Sequence, residues 1–225
     1  IVNLSFKPDF TYYITPDNTL TFGAQALSYQ FSPGKATASS NGDKREFGQV
    51  DKSGVELSAY VGDEWKISPR ISVQYGVRYS NYDYKSDNGV YYERVPVPTS
   101  IENPTGYTLK AIQVSPNASV ANYGNWEPRF SFNLKVAENS SFKASYNRLV
   151  QYVHLMSNTA ASTPLDVWTS STNIIKPKIA DQVALGLFKN LGEGGNDFET
   201  SVEVYYKEMQ NQIDYADRAN LFLNP

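Results

Sequence analysis

The stretch Ile71-Ser72-Val73-Gln74-Tyr75-Gly76-Val77-Arg78-Tyr79-Ser80 decides the fold. Every odd position is apolar or aromatic, and every even position is polar or glycine. Side chains of a strand point alternately to its two faces, so this period of two predicts a sheet with one apolar and one polar face. The pattern recurs. Phe130, Phe132, Leu134 and Val136 alternate with Arg129, Ser131, Asn133 and Lys135. Phe142, Ala144 and Tyr146 alternate with Lys143, Ser145 and Asn147, and Phe198, Val202, Val204 and Tyr206 with Glu199, Glu203, Tyr205 and Lys207.

Two kinds of sheet carry such alternation. In a soluble sandwich the apolar face is core and the polar face meets water. In a membrane barrel the apolar face meets lipid and the polar face lines the lumen. Strand length and loop pattern separate them. The sequence predicts about eight strands, near Leu4–Ile14, Thr19–Phe31, Val55–Ile67, Arg70–Tyr84, Trp126–Ala137, Ser141–Leu155, Ile179–Leu191 and Asp197–Tyr215. Several exceed ten residues, the length a tilted strand needs to cross a bilayer, whereas strands of globular proteins average about five or six. Tight turns at Thr15–Asn18, Ser68-Pro69, Glu138–Ser140 and Gly192–Asn196 alternate with long polar segments at Ser32–Gly54, Lys85–Asn125 and Met156–Lys178. Brief periplasmic turns and larger extracellular loops give a barrel this short–long rhythm. The expected fold is therefore all-β, an antiparallel transmembrane β-barrel segment. Pro16, Pro69, Asn139 and Gly194 point to the periplasm, and Val73 and Leu134 face lipid.

Composition agrees. The 225 residues hold 17 Tyr, 11 Phe and 3 Trp, 14% of the chain, and tyrosine suits both strands and membrane–water interfaces. No apolar run is long enough for a transmembrane helix. With no cysteine there is neither a disulfide framework nor a thiolate metal site, and a net charge of -3 gives no reason to expect nucleic acid as a partner. The chain begins inside an apparent strand and ends in polar loop sequence. An open sheet edge cannot face lipid, so residues beyond this sequence are expected to complete the barrel.

Particular motifs narrow the reading. The chain reads Ile175-Lys176-Pro177-Lys178-Ile179-Ala180-Asp181-Gln182-Val183-Ala184-Leu185-Gly186, then a turn, then Val202-Glu203-Val204-Tyr205-Tyr206-Lys207-Glu208-Met209-Gln210-Asn211-Gln212-Ile213. Upstream stand Trp126-Glu127-Pro128-Arg129 and Lys143-Ala144-Ser145-Tyr146-Asn147-Arg148. This resembles the barrel of TonB-dependent outer-membrane receptors. Asp181-Gln182 and the Pro164–Trp168 loop resemble the branch found in Bacteroidetes. The resemblance implies a barrel of about twenty-two strands, of which residues 1–225 would be a partial domain. It implies a plug domain filling the lumen and a TonB box, neither present in this sequence. It implies a bacterial outer-membrane location, and import of a nutrient (siderophore, glycan, peptide or cobalamin-like) driven from the inner membrane. The partners implied are membrane lipid and lipopolysaccharide, the receptor's own plug, the TonB complex and a surface lipoprotein. The rival reading is a structural or adhesive barrel whose long loops bind partner proteins.

No catalytic, cofactor or metal constellation stands out. His154, the single histidine, reads as a loop-base residue near Asn158 and Thr159. Asp63-Glu64 could be a carboxylate pair for acid–base chemistry, but charge at headgroup level is ordinary. Tyr12, Trp65, Tyr79, Tyr82, Tyr84, Tyr146, Tyr152, Tyr205 and Tyr206 read mostly as an aromatic girdle. Arg78, Arg129, Lys135, Lys143, Glu199 and Glu203 are expected to face the lumen. Substrate contacts are expected from the loops, at Tyr91, Tyr92, Arg94, Tyr107, Tyr123, Trp126 and Trp168, since binding residues concentrate on loops held by a rigid scaffold.

Overall fold

The structure is a computed structural model that describes residues 2–31, 35–40, 43–48, 52–86, 89–100, 106–156, 167–191 and 198–213. The described residues form fifteen strands: β1 (Val2–Phe6), β2 (Asp9–Thr15), β3 (Asn18–Phe31), β4 (Lys35–Ser40), β5 (Asp43–Gly48), β6 (Lys52–Ser68), β7 (Ile71–Lys85), β8 (Val90–Pro96), β9 (Tyr107–Gln113), β10 (Ser119–Ala137), β11 (Ser140–Gln151), β12 (Val153–Met156), β13 (Val167–Ser170), β14 (Lys178–Leu191) and β15 (Phe198–Gln210). The main sheet runs β1-β3-β6-β7-β10-β11-β14-β15, with β2 also on β3. Its pairs are antiparallel. It is an open meander of the kind expected for an arc of barrel wall.

The expected first strand is broken at Lys7-Pro8, because proline has no N–H to give to a ladder. The register nevertheless runs through the break: Phe6 pairs with Ala26, and Asp9 with Gly23. Pro8 still contributes its carbonyl, which accepts from the Ala24 N–H at 3.2 Å. At the other end of the sheet β15 stops at Asn211, whose φ of 56° is left-handed. Gly192–Asn196 and Tyr215 lie outside the described residues.

Sequence reading underestimated the strands at the long-loop end. β10 has 19 residues and starts at Ser119 rather than Trp126, because it pairs with β7 from Lys85 down to Ile71. Two of the long segments hold a hairpin of their own, β4 with β5 and β8 with β9. The third joins β12 to β13, and β12 takes the upper end of the expected Ser141–Leu155 strand, which leaves the sheet at Tyr152.

Cross-strand partners share a face, so the register sorts the side chains. Leu20, Phe22, Val61, Trp65, Val73, Tyr75, Val77, Tyr79, Phe130, Leu134, Phe142, Leu185 and Val204 fall on one face. That face is open: Leu57 is 55% exposed and Leu187 59%. The other carries Gln25, Glu56, Tyr60, Gln74, Arg78, Ser131 and Asn147. Asp63 and Glu64, as neighbours in a strand, point to opposite faces and form no carboxylate pair. Burial is concentrated on the polar face at the long-loop end, where Phe31 and Tyr82 are fully enclosed.

Candidate functional site

A charged network crosses four strands of the polar face. Register sets Glu127 of β10 opposite Arg78 of β7. The Arg78 guanidinium donates through Nη2 to Glu56 Oε1 of β6 at 2.9 Å and to Gln25 Oε1 of β3 at 3.1 Å. Its Nε lies 3.6 Å from Glu127 Oε1. Ser80 Oγ donates to that same oxygen at 2.9 Å, and Tyr29 donates its hydroxyl to Glu56 Oε2 at 2.9 Å. Both glutamates are buried. One planar cation thus serves two carboxylates, a task its fixed fork of donors suits better than a lysine would.

Towards the loops the network passes into an aromatic layer. The Tyr82 ring stacks on Tyr152 with centroids 5.0 Å apart, and Tyr29 leans on Tyr82 at 6.2 Å and stacks on Phe31 at 6.0 Å. Tyr152 lies 2.8 Å from Ser80 Oγ and accepts from Asn125 Nδ2 at 3.1 Å. Tyr82, Tyr84 and Tyr152 therefore form a core on the polar face. They do not belong to the aromatic girdle into which the sequence reading put them. Tyr205 also falls on the polar face. Tyr12, Trp65, Tyr79, Tyr146 and Tyr206 keep to the apolar one.

The β12–β13 hairpin folds onto this layer. Lys52 Nζ donates to Thr169 Oγ1 at 3.2 Å, Tyr123 donates its hydroxyl to the Thr172 carbonyl at 2.6 Å, and the Ser171 N–H donates to the Tyr152 carbonyl at 2.7 Å. His154 is fully buried, with Nε2 3.1 Å from Ser171 Oγ. It is thus a packed residue at the base of the β12–β13 hairpin; Asn158 and Thr159 lie outside the described residues. Burial, helped by the nearby Lys178 charge, lowers its pKa from 6.5 to about 4. The folded state therefore holds the imidazole neutral, while the unfolded chain takes up a proton below pH 6.5. Stability on this account is full above pH 6.5 and falls as pH drops towards 4, by up to about 3 kcal/mol. His154→Gln should flatten that part of the pH–stability curve, measured by thermal melting of the full receptor.

Below the network lies a concave trough of about 530 Å³, lined among others by Tyr60, Gln74, Arg78, Arg129, Ser131 and Asn147. Gly62 and Gly76 pave it. A Cβ on Gly76 would stand 2.7 Å from the Val61 carbonyl, so the bare backbone keeps the two strands close. Arg129, Lys135, Lys143, Glu199 and Glu203 share this face with Arg78 by register, and Lys143 lies over the Phe188 ring at 4.5 Å.

The expected substrate contacts divide. Tyr91, Tyr92, Arg94 and Tyr107 come together on the β8–β9 hairpin, where the Arg94 guanidinium lies 4.6 Å from the Tyr107 ring centroid and Tyr91 donates to Glu93 at 2.7 Å. Asn173 Nδ2 donates to the Tyr92 carbonyl at 2.8 Å, tying this hairpin to the segment after β13. Tyr123 supports the polar-face core. Trp168 is half exposed on β13. Trp126 is separate from all of these: it lies on the apolar face, packed on Tyr79 at 4.8 Å, because β10 has already begun when the chain reaches it. Sequence reading missed Gln25, Tyr29, Glu56 and Glu127. Their signal is parity, since each falls at the strand positions of the polar face.

A family described as TonB dependent receptor-like, beta-barrel, matches residues 2–224. No curated protein matches the chain by sequence. Among solved structures, the copper transporter OprC superposes with a TM-score of 0.56 at 14% identity, over 92% of this chain and 30% of that one. The Serratia marcescens hemophore receptor HasR, a double mutant in complex with its hemophore HasA and heme, gives a TM-score of 0.52 at 11% identity, over 93% of this chain and 33% of that one. The chain thus spans about a third of the length of either structure. Matched along almost its whole length, the chain belongs to the β-barrel family of the TonB-dependent receptors of the bacterial outer membrane.

Proposed function

We propose that these strands form an arc of the wall of an energy-coupled nutrient importer. The apolar face meets lipid and lipopolysaccharide. The polar face lines the lumen, where Arg78, Arg129, Lys135, Lys143, Glu199 and Glu203 meet water and the receptor's own plug. The tight turns face the periplasm, and the hairpins face outward, with Tyr91, Tyr92, Arg94, Tyr107 and Trp168 as the outer surface that meets substrate. A surface lipoprotein would dock at the same end.

One observation carries the transport reading: the β12–β13 hairpin folds onto the polar face instead of standing clear of it. A wall whose own hairpin narrows the mouth suits a gated receptor better than an open pore. Aromatic rings beside Arg94, with neighbouring hydrogen-bonding groups, suit a flat or amphipathic solute of moderate size.

The test is uptake by whole cells that carry the full receptor gene, with and without the inner-membrane coupling complex. Heme, cobalamin, a ferric siderophore and a malto-oligosaccharide serve as labelled probes. Accumulation of one probe that needs both receptor and coupling complex is the expected result. Accumulation that survives loss of the coupling complex would make the protein a passive channel and overturn the reading.

A further inference from the structure

The polar face changes character below the network. There β10 and β11 present three cations, Arg129, Lys135 and Lys143, and otherwise only serine and asparagine. The flanking strands add no charge to the same face: β7 presents Ser72, Gln74 and Gly76, and β14 presents Gln182, Ala184 and Gly186. A strip four strands wide thus holds three positive charges and no carboxylate. All three cations are exposed, and none forms an ion pair among the described residues. Lys143 lies over the Phe188 ring instead.

Nearby acids do not answer them. Glu127 is buried and held by Arg78 and Ser80. Glu138 lies in the tight turn beyond the strip. Glu64 of β6 stands beside Gln74, and Glu203 of β15 beside Gly186. Each of these two is a pair of strand spacings away from β10 or β11, about 10 Å, the distance over which salt screens exposed charges. The strip also has a direction. Its upper end is the trough, which Arg129 lines. Lys143 pairs with Asn133, about 13 Å further down β10, and Lys135 stands about 20 Å down, near the tight turn. A concave wall that carries one sign of charge over an apolar backing gathers counter-ions and draws them along it.

We propose that this strip is a binding path for a small hydrophilic anion, a solute bearing carboxylate or phosphate groups, which enters at the trough and passes Arg129, Lys143 and Lys135 in turn. Free space of about 530 Å³ over the bare backbone of Gly62 and Gly76 suits a small molecule. Arg129 takes the anion with paired N–H donors, and the two lysines follow as flexible point charges. The proposal rests on the import reading and narrows its substrate to an anion.

The chain has no cysteine, so one introduced thiol can report the local potential. In a cysteine-free full receptor, Ser145→Cys places that thiol in the trough, between the rows of Arg129 and Lys143. Its rates are measured with an anionic and a cationic thiosulfonate reagent (sulfonatoethyl and trimethylammonioethyl), each divided by the same reagent's rate with 2-mercaptoethanol. The anion should be favoured by about tenfold. High salt should shrink that preference, and Arg129→Gln with Lys143→Gln should bring the ratio close to one. A ratio near or below one without those two changes would overturn the proposal, since an acidic segment elsewhere in the receptor would then already neutralise the strip. So would a thiol that neither reagent reaches, or a preference that the paired variant leaves intact. Uptake is the second arm. Among the labelled probes, one that carries carboxylates, heme or a polycarboxylate ferric siderophore, should be the one accumulated. Accumulation of the uncharged malto-oligosaccharide would overturn the anion path and leave import standing. If no probe accumulates, the import reading falls and the reagent ratio alone decides the strip.

Discussion

Replacing Tyr82 by alanine is expected to lower the stability of the receptor by about 3–5 kcal/mol, the range for truncating a fully buried aromatic side chain. Tyr82 is the largest fully enclosed side chain among the described residues. Its removal takes away the stack on Tyr152 and the contact with Tyr29 together. It also loosens Tyr152, whose carbonyl accepts from the Ser171 N–H just after β13, so the hairpin should become sensitive to protease before the sheet unfolds. The measurements are the chemical-denaturation midpoint of the full receptor in lipid vesicles and a limited-proteolysis time course. A partner position sharpens the prediction. A Cβ on Gly54 would run into the Tyr82 hydroxyl, so Gly54→Ala should destabilise wild type by forcing a tightly packed ring to move. In the Tyr82→Ala background the same change should cost little. Additive effects in the double variant would show that the two positions do not compete for space.

Val77→Arg should cost about 2–4 kcal/mol, the depth-dependent penalty for a cation on the lipid face near the bilayer midplane. Val77 is the seventh residue of the 15-residue β7 and pairs with Val61 and Pro128 on the apolar face. It tests orientation better than Val73 or Leu134, since Leu134 pairs with Ile71 at the very start of β7 and lies close to the turn. Gln74→Arg places the same charge on the other face, where the trough is open, and should stay within about 0.5 kcal/mol of wild type. Equal cost at the two positions, in matched denaturation curves, would contradict the assignment of faces.

Parity was the most informative property of the sequence. It predicted the sheet and the two faces, because a period of two is fixed by the backbone and survives any tertiary context. It was also informative where it went unused. Tyr82 and Tyr84 share parity with Arg78 and Ser80, so they had to point to the polar face, yet composition alone suggested a girdle. Trp126 shares parity with Phe130 and Phe132, which excludes it from the substrate surface at the loops. Asp63 and Arg148 break the pattern from the opposite direction, as charged residues at apolar positions. Arg148 is answered by Asp181, at 2.8 Å and 2.9 Å, and Asp63 by the Tyr75 hydroxyl, which donates to its Oδ2 at 2.7 Å.

The hairpins were not legible. Val90–Pro96 and Val167–Ser170 are short and lack a clear alternation, and whether such segments pair depends on the surface beneath them. The inward fold of β12–β13 rests on Lys52, Tyr123 and Tyr152, contacts with residues far away in the sequence that no local pattern encodes. The charged network was hidden for the same reason. Gln25, Glu56, Arg78 and Glu127 are ordinary polar residues until four strands bring them side by side.

The unbroken meander has a consequence for how such walls change size. From β3 onward, every neighbour in the main sheet is also the next main-sheet strand along the chain. A whole hairpin can therefore be gained or lost without reversing the direction or the parity of the strands left behind. If β10 and β11 were excised together, β7 would meet β14 as an antiparallel partner with the apolar residues of both still on one face. Each such unit changes the girth by two strand spacings, about 10 Å across the strands. Circumference in a wall of this kind is an inheritable quantity that changes in pairs.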